Sequence, residues 1–171
     1  MKMNCMKKTL LGLLLVCGSF LNKVVAQTVP DLTPRINLNP NIVIGQSTME
    51  VTVQINEVNT VTTNGSLITL YVDKQSMFSN FNFNNAQTTN AAGQPIHNNL
   101  FTIDAVTNPD FYVITSNAVF TNSLRRVSFT VKVNPAQTNG STPINVYLKN
   151  GSGGETNSGD NVNYSILDFS F

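Results

Sequence analysis

Few side chains in this sequence could do covalent or acid–base chemistry, and they are scattered. The single histidine, His97, follows Pro95 in a polar stretch. A Ser-His-Asp arrangement would need a partner nucleophile, and no Gly-x-Ser-x-Gly elbow presents one. A lone histidine of this kind is expected to be a solvated loop side chain. Zinc lacks ligands, because Cys5 and Cys17 are the only cysteines and both fall in the first 26 residues. No glycine-rich phosphate loop is present. An internal isopeptide cross-link would need a buried lysine. After residue 26 only Lys74, Lys132 and Lys149 remain, the last two on polar sides of their strands. The chain therefore reads as a non-enzyme without a cofactor.

Two groups of residues have the chemistry for binding. Glu155 and Asp160 stand in a Gly/Asn/Ser loop, and calcium favours oxygen-rich loops. Their spacing does not follow the EF-hand, and two carboxylates make a thin cage. A solvated turn is the expectation, with calcium the weaker alternative. Met77, Phe78, Phe81 and Phe83 sit among Asn and Ser in residues 74–100. Clustered apolar side chains in a polar segment mark a binding surface if exposed. If buried, they close an open edge of the fold. A flat sugar platform would favour Trp and Tyr, so the absence of Trp, with four Tyr, counts against a carbohydrate-binding module.

The elements that must position these groups follow from composition and pattern. Charged residues make up 11% of the 171 residues, against about 25% in an ordinary soluble domain. Asn and Thr fill the gap, with 23 Asn and 18 Thr from Gln27 onward. Residues 1–26 read as a secretory signal peptide: Lys2, Lys7 and Lys8, then an apolar run from Leu10 to Leu21, then Val24-Val25-Ala26 before Gln27. The run is shorter than the roughly 20 residues that span a bilayer. Acylation at Cys17 is an alternative end to the same segment. Without it, six basic and nine acidic residues remain, a net charge of −3 that offers no footprint for nucleic acid. An exported, extracellular or cell-surface protein is expected, periplasmic as an alternative, with one domain over 27–171 and no membrane span after removal of the signal.

Past residue 26 the apolar periodicity is two. Leu32, Ile36 and Leu38 alternate, with Pro34 marking an edge strand. Further alternating runs are Met49–Ile55, Ile68–Val72, Phe111–Thr115, Val127–Val133 and Ile144–Leu148. The last carries Val162, Tyr164 and Ile166, then Leu167 and Phe169. Asn64-Gly65, Asn139-Gly140 and Asn150-Gly151 are turn dipeptides, since both residue types tolerate positive φ. About seven to nine short strands with wet outer faces predict an all-β, antiparallel, immunoglobulin-like sandwich. Two stretches echo each other: Val51–Asn56, Asn64-Gly65 and Ile68–Val72 against Phe129–Asn134, Asn139-Gly140 and Ile144–Leu148. Both read as hairpins central to the sandwich. Residues 74–100 read as an irregular excursion with a short edge strand near Asn80 to Asn84. A small outer-membrane barrel is a further alternative, suggested by the terminal Leu167, Phe169 and Phe171, although most runs are shorter than the 9–11 residues such strands need.

The opening Pro30-Asp31-Leu32-Thr33, the Asn39-Pro40 step, Gly45 and the strand Val51–Ile55 resemble bacterial immunoglobulin-like surface repeats. Among named groups they resemble the cell-adhesion-related domain of bacteria, CARDB. Its closing Glu/Asn-rich turn has a counterpart in Gly154–Asn161. The resemblance covers both ends of residues 27–171, about half of them. It implies a β-sandwich with a binding or scaffolding role toward a protein or cell-surface component. The 74–100 excursion is longer than the middle of such modules, which usually stand in long arrays.

Overall fold

The computed structural model describes residues 29–121 and 124–171. The segment read as a signal peptide, with Cys5 and Cys17, lies outside the described residues. Ten strands form: β1 Leu32–Asn39, β2 Ile42–Ile44, β3 Ser47–Glu57, β4 Ile68–Asp73, β5 Phe78–Asn82, β6 Thr102–Asp104, β7 Phe111–Ser116, β8 Arg125–Val133, β9 Gly140–Leu148 and β10 Val162–Ser170. They build a four-stranded sheet, in the order β1-β3-β8-β5, and a six-stranded sheet, in the order β2-β10-β9-β4-β7-β6. All pairings are antiparallel except β2 with β10. The all-β immunoglobulin-like sandwich expected from the period-2 pattern is what the chain adopts. Both sheets are open, so the strands do not close into a barrel.

The core follows from alternation. Met49, Val51, Val53 and Ile55 of β3 and Val127, Phe129, Val131 and Val133 of β8 point inward from one sheet. Ile68, Leu70 and Val72 of β4, Tyr112 and Ile114 of β7 and Ile144, Val146 and Leu148 of β9 meet them from the other. Each such side chain, fully buried, contributes about 1.5–3 kcal/mol over its exposed state. Pro34 lies in β1, an edge strand, where a missing N–H costs no ladder bond. Past the Asn39-Pro40 step the chain leaves one sheet for the other. There Gly45, at φ 61°, donates its N–H to Ser170 O at 2.8 Å.

The two echoing stretches are not hairpins. β3 to β4, like β8 to β9, carries the chain from the four-stranded to the six-stranded sheet. Alternation dictates which residues face inward but not which sheet receives the next strand. The units are nonetheless equivalent, because β3 pairs with β8 and β4 with β9, both antiparallel, which sets them about an approximate two-fold. Turn chemistry holds at Gly65 and Gly151, with φ of 79° and 83°; Gly140 instead begins β9, and positive φ falls on Ala136 and Gln137. Gly140 has another reason to lack a side chain: an added Cβ would stand 3.1 Å from the Phe169 ring.

The 74–100 excursion is built, not loose. β5 pairs with β8 from Phe78↔Val133 to Asn82↔Thr130, with a register shift between Ser79 and Asn82. Asn80 takes φ 48° there. The extra residue of such a bulge puts Phe78 and Phe81, three apart, on the same side. Residues 84–98 then fold back over the outside of the four-stranded sheet.

Candidate functional site: an exposed aromatic and aliphatic sheet face

The outer faces of the two sheets are finished differently. On the four-stranded sheet, Glu50, Thr52 and Ser128 point outward, yet each is buried beneath residues 84–98. Ala91 N donates to Glu50 Oε2 at 2.7 Å, and Asn90 Nδ2 to Thr52 Oγ1 at 3.4 Å. Asn98, fully buried, acts as a clamp along β8. Its Nδ2 donates to Ser128 O at 2.8 Å and its Oδ1 accepts from Ser128 N at 2.8 Å. His97 supports the same edge, its N–H donating to Arg126 O at 2.7 Å. Burial and the charges of Arg125 and Arg126 hold its imidazole below its ordinary pKa, partly offset by a hydrogen bond with the Arg126 backbone. His97 is thus half-buried and structural in its contacts, not the solvated loop side chain expected from sequence.

The six-stranded sheet is covered at Thr69 by the turn that carries Ser152, but its β2–β10 edge is bare. Ile42 and Ile44 of β2, and Val162, Tyr164 and Ile166 of β10, project outward with exposures of 40–73%. Inward from that edge the face is aromatic. Tyr147 pairs across to Tyr71 and to Val162, and Tyr164 pairs with Asn145 one step away. Phe111 meets Tyr71 edge-on at 5.7 Å and Tyr147 at 5.9 Å between ring centroids. Three of the four tyrosines therefore share one face. Its polar rim is Asp73, which accepts from Asn145 N at 3.0 Å and Nδ2 at 2.6 Å, and Asp168, which accepts from the Ser141 hydroxyl. Partial burial, and then the Asp73 charge, push the Tyr147 hydroxyl above its usual pKa.

Met77, Phe78, Phe81 and Phe83 are half-buried against the core. Phe81 stacks on Tyr112 at 5.1 Å and leans on Phe129 at 5.3 Å, tying the edge of one sheet to the other. Met77 and Phe78 also wall a cavity of about 300 Å³ with Ser76, Asn134 and Pro135. The solvated turn expected at Glu155 and Asp160 is corrected by the structure. Asp160 is half-buried and Glu155 is 3% exposed. The reason is local: Gly151, Gly153 and Gly154 all take positive φ, and Gly153 packs into a space where a Cβ would meet Leu32, Thr63 and Ile68 within 3.3 Å. That tight descent carries Glu155 inside.

Alternation also hid the exposed face. Val162, Tyr164 and Ile166 look like core residues by type. The usable signal was parity, because Leu167 and Phe169 run in the opposite phase and only one phase can face inward. Among the described residues no helix is long and apolar enough to cross a membrane.

The sequence matches no protein-family model, and no curated protein matches it. Among solved structures, the chain is similar to the CARDB domain of a Pyrococcus furiosus protein crystallised in complex with di-metal ions. The two are 15% identical with a TM-score of 0.48, over 84% of this chain and 96% of that one. It is also similar to a chain of the CaDoc0917–CaCohA2 complex, at 17% identity and a TM-score of 0.48, over 82% of this chain and 99% of that one. A type II cohesin domain from the cellulosome of Acetivibrio cellulolyticus is 9% identical with a TM-score of 0.39, over 82% and 95%. The first of these is of the same family that Pro30–Thr33, Gly45 and Gly154–Asn161 resemble in the sequence.

Proposed function

We propose that the protein is a non-enzymatic, exported β-sandwich module that docks a partner protein or cell-surface component on the outer face of its six-stranded sheet. One observation carries this reading: an uncovered stripe of Ile42, Ile44, Ile166, Tyr164 and Val162 continues into Tyr147 and Tyr71. Contiguous apolar surface rimmed by polar groups marks interaction sites, and tyrosine is enriched at them because its flat apolar ring ends in a hydrogen-bonding group. The face is preformed by β-ladders, so little ordering entropy opposes docking. Binding of the purified protein to the surface of its native cells tests this. Tyr164→Glu combined with Ile44→Lys should lower cell binding at least tenfold. Equal binding by wild type and variant, or no binding by either, overturns the reading.

A glycan partner is the second reading, favoured by the three tyrosines on one face. A glycan array would decide it: hits lost in Tyr147→Ala support a sugar, and an array without hits removes it. The cavity walled by Met77 and Phe78 is a subsidiary contact in either reading, checked by Met77→Glu in the same assay.

A further inference from the structure

We propose that Asn150 is a site of spontaneous covalent modification, converting to aspartate and isoaspartate in the folded protein ahead of two asparagines in the same sequence setting, and that the product loosens the turn it stands in. This goes beyond the docking face and does not depend on it. The tripeptide Asn-Gly-Ser occurs at Asn64–Ser66, at Asn139–Ser141 and at Asn150–Ser152. All three asparagines are exposed. In such a step the glycine backbone nitrogen attacks the asparagine Cγ. A C–N bond forms, the side-chain nitrogen leaves with the glycine proton as ammonia, and a cyclic succinimide remains. Water then opens the ring at either carbonyl, giving aspartate or isoaspartate. Glycine favours the closure because it puts no Cβ beside the attacking nitrogen. Identical tripeptides have the same intrinsic chemistry, so a difference in rate between them is set by the fold.

The fold holds two of the sites back. Asn139 Oδ1 accepts from Phe171 N at 2.8 Å. Gly140 stands opposite Phe169 on the β9–β10 ladder. Leu148 N donates to Asn161 O at 2.8 Å on the same ladder, and bonded pairs recur at every second residue, so the Gly140 N–H is engaged by Phe169. The Phe169 ring covers Gly140 as well, standing 3.1 Å from where a Cβ would be. At the second site, Asn64 Oδ1 accepts from Ser66 N at 2.9 Å, and Asn64 N donates to Gly153 O at 3.1 Å. The Asn64 amide packs so closely on Gly154 that a Cβ there would stand 2.7 Å from Cγ, the atom to be attacked.

Asn150 has none of these restraints. Ser152 N donates to Lys149 O at 3.1 Å and closes a turn with Asn150 and Gly151 at its centre. Gly151 takes φ 83° and ψ 1°, the third position of a type II turn. Among the described residues its N–H has no acceptor, and a Cβ on it would meet nothing within 4 Å. Asn150 Oδ1 accepts one side-chain bond, from Asn161 Nδ2 at 3.3 Å. Nucleophile and amide are therefore both open to water.

Conversion has a structural consequence. The same turn carries Lys149, whose N–H donates to Thr69 O at 2.9 Å, and Ser152, whose hydroxyl accepts from Thr69 N at 3.1 Å. Isoaspartate routes the main chain through the side chain and lengthens the turn. Aspartate puts a negative charge beside Asn161, which lies against the buried Glu155. Both products loosen this end of the sandwich with time.

Tryptic mapping of protein incubated at mildly alkaline pH tests the site. Cleavage after Arg35, Lys74, Lys132 and Lys149 puts the three tripeptides in separate peptides, 36–74, 133–149 and 150–171. Fragmentation by mass spectrometry then places each amide-to-acid change on its residue. In the folded protein Asn150 should convert at least about tenfold faster than Asn64 or Asn139, which must wait for local opening. In urea the three rates should fall within about twofold of one another, because the restraints are gone. The converted fraction, separated by its added negative charge, should melt below the unconverted one. Asn150→Gln, whose longer side chain closes the ring far more slowly, should keep its midpoint through the same incubation. Asn150 converting no faster than Asn64 or Asn139 in the folded protein overturns the proposal, as does a rate difference that persists in urea. A converted fraction that melts like the unconverted one overturns the loosening.

Discussion

The outer face of the four-stranded sheet and that of the six-stranded sheet start from similar strands and end in opposite states. On the first, Glu50, Thr52 and Ser128 are polar and covered. On the second, Ile44, Tyr164 and Ile166 are apolar and bare. The difference lies in what each face can be bonded to. A polar face under a polar segment gives backbone groups of residues 84–98 somewhere to bond, as Ala91 does to Glu50 and Asn98 does to Ser128. The apolar face offers no such partners, and among the described residues no segment lies over its exposed β2–β10 edge. One face consolidates the fold, and the other is the surface the fold presents.

Breaking the clamp on the covered face should have the largest effect. Asn98→Ala leaves Ser128 N–H and C=O without their buried partners and should cost about 2–4 kcal/mol, read from the urea midpoint. Glu50→Ala removes the anchor for Ala91 and should cost about 1–2 kcal/mol. Amide exchange should then accelerate at Ala91 ahead of the core strands, showing that the cover lifts as a unit. The end of the sandwich, common to both sheets, supplies a pH test. The Glu155 carboxyl is held up to about 7 from an ordinary 4.5, so the folded state keeps its proton longer than the unfolded chain. This stabilisation should be full below about pH 4.5 and fade as pH rises through about 7. Glu155→Gln should flatten that slope of midpoint against pH. The bare face should give the smallest stability effect, under about 0.5 kcal/mol for Tyr164→Ala, because its ring is mostly exposed. A large loss of stability there would mean that the face serves the fold, and the comparison would fail.

Much of this contrast can be read in particular residues. Pro34 marks an edge strand, and Leu32, Val51, Val127 and Ile144 announce inward faces because a strand's side chains alternate. The echo between Val51–Val72 and Phe129–Leu148 correctly pairs equivalent units, though sheet membership was out of reach. Residues 84–98 gave no local pattern to read, because their order comes from bonds to Glu50, Thr52 and Ser128, which are distant in sequence. Glu155 looked like any loop carboxylate, since three positive φ values decide its burial. Tyr71, Tyr147 and Tyr164 lie far apart in the chain and meet only through strand order.

By itself the sequence determined the all-β class, the inward phase of its central strands and the scarcity of catalytic side chains, because these are properties of residue type and local period. Tertiary structure alone decided which sheet is covered, that three tyrosines share an open face, and that Glu155 is buried. Those outcomes depend on contacts between segments up to 127 residues apart, which no local propensity encodes.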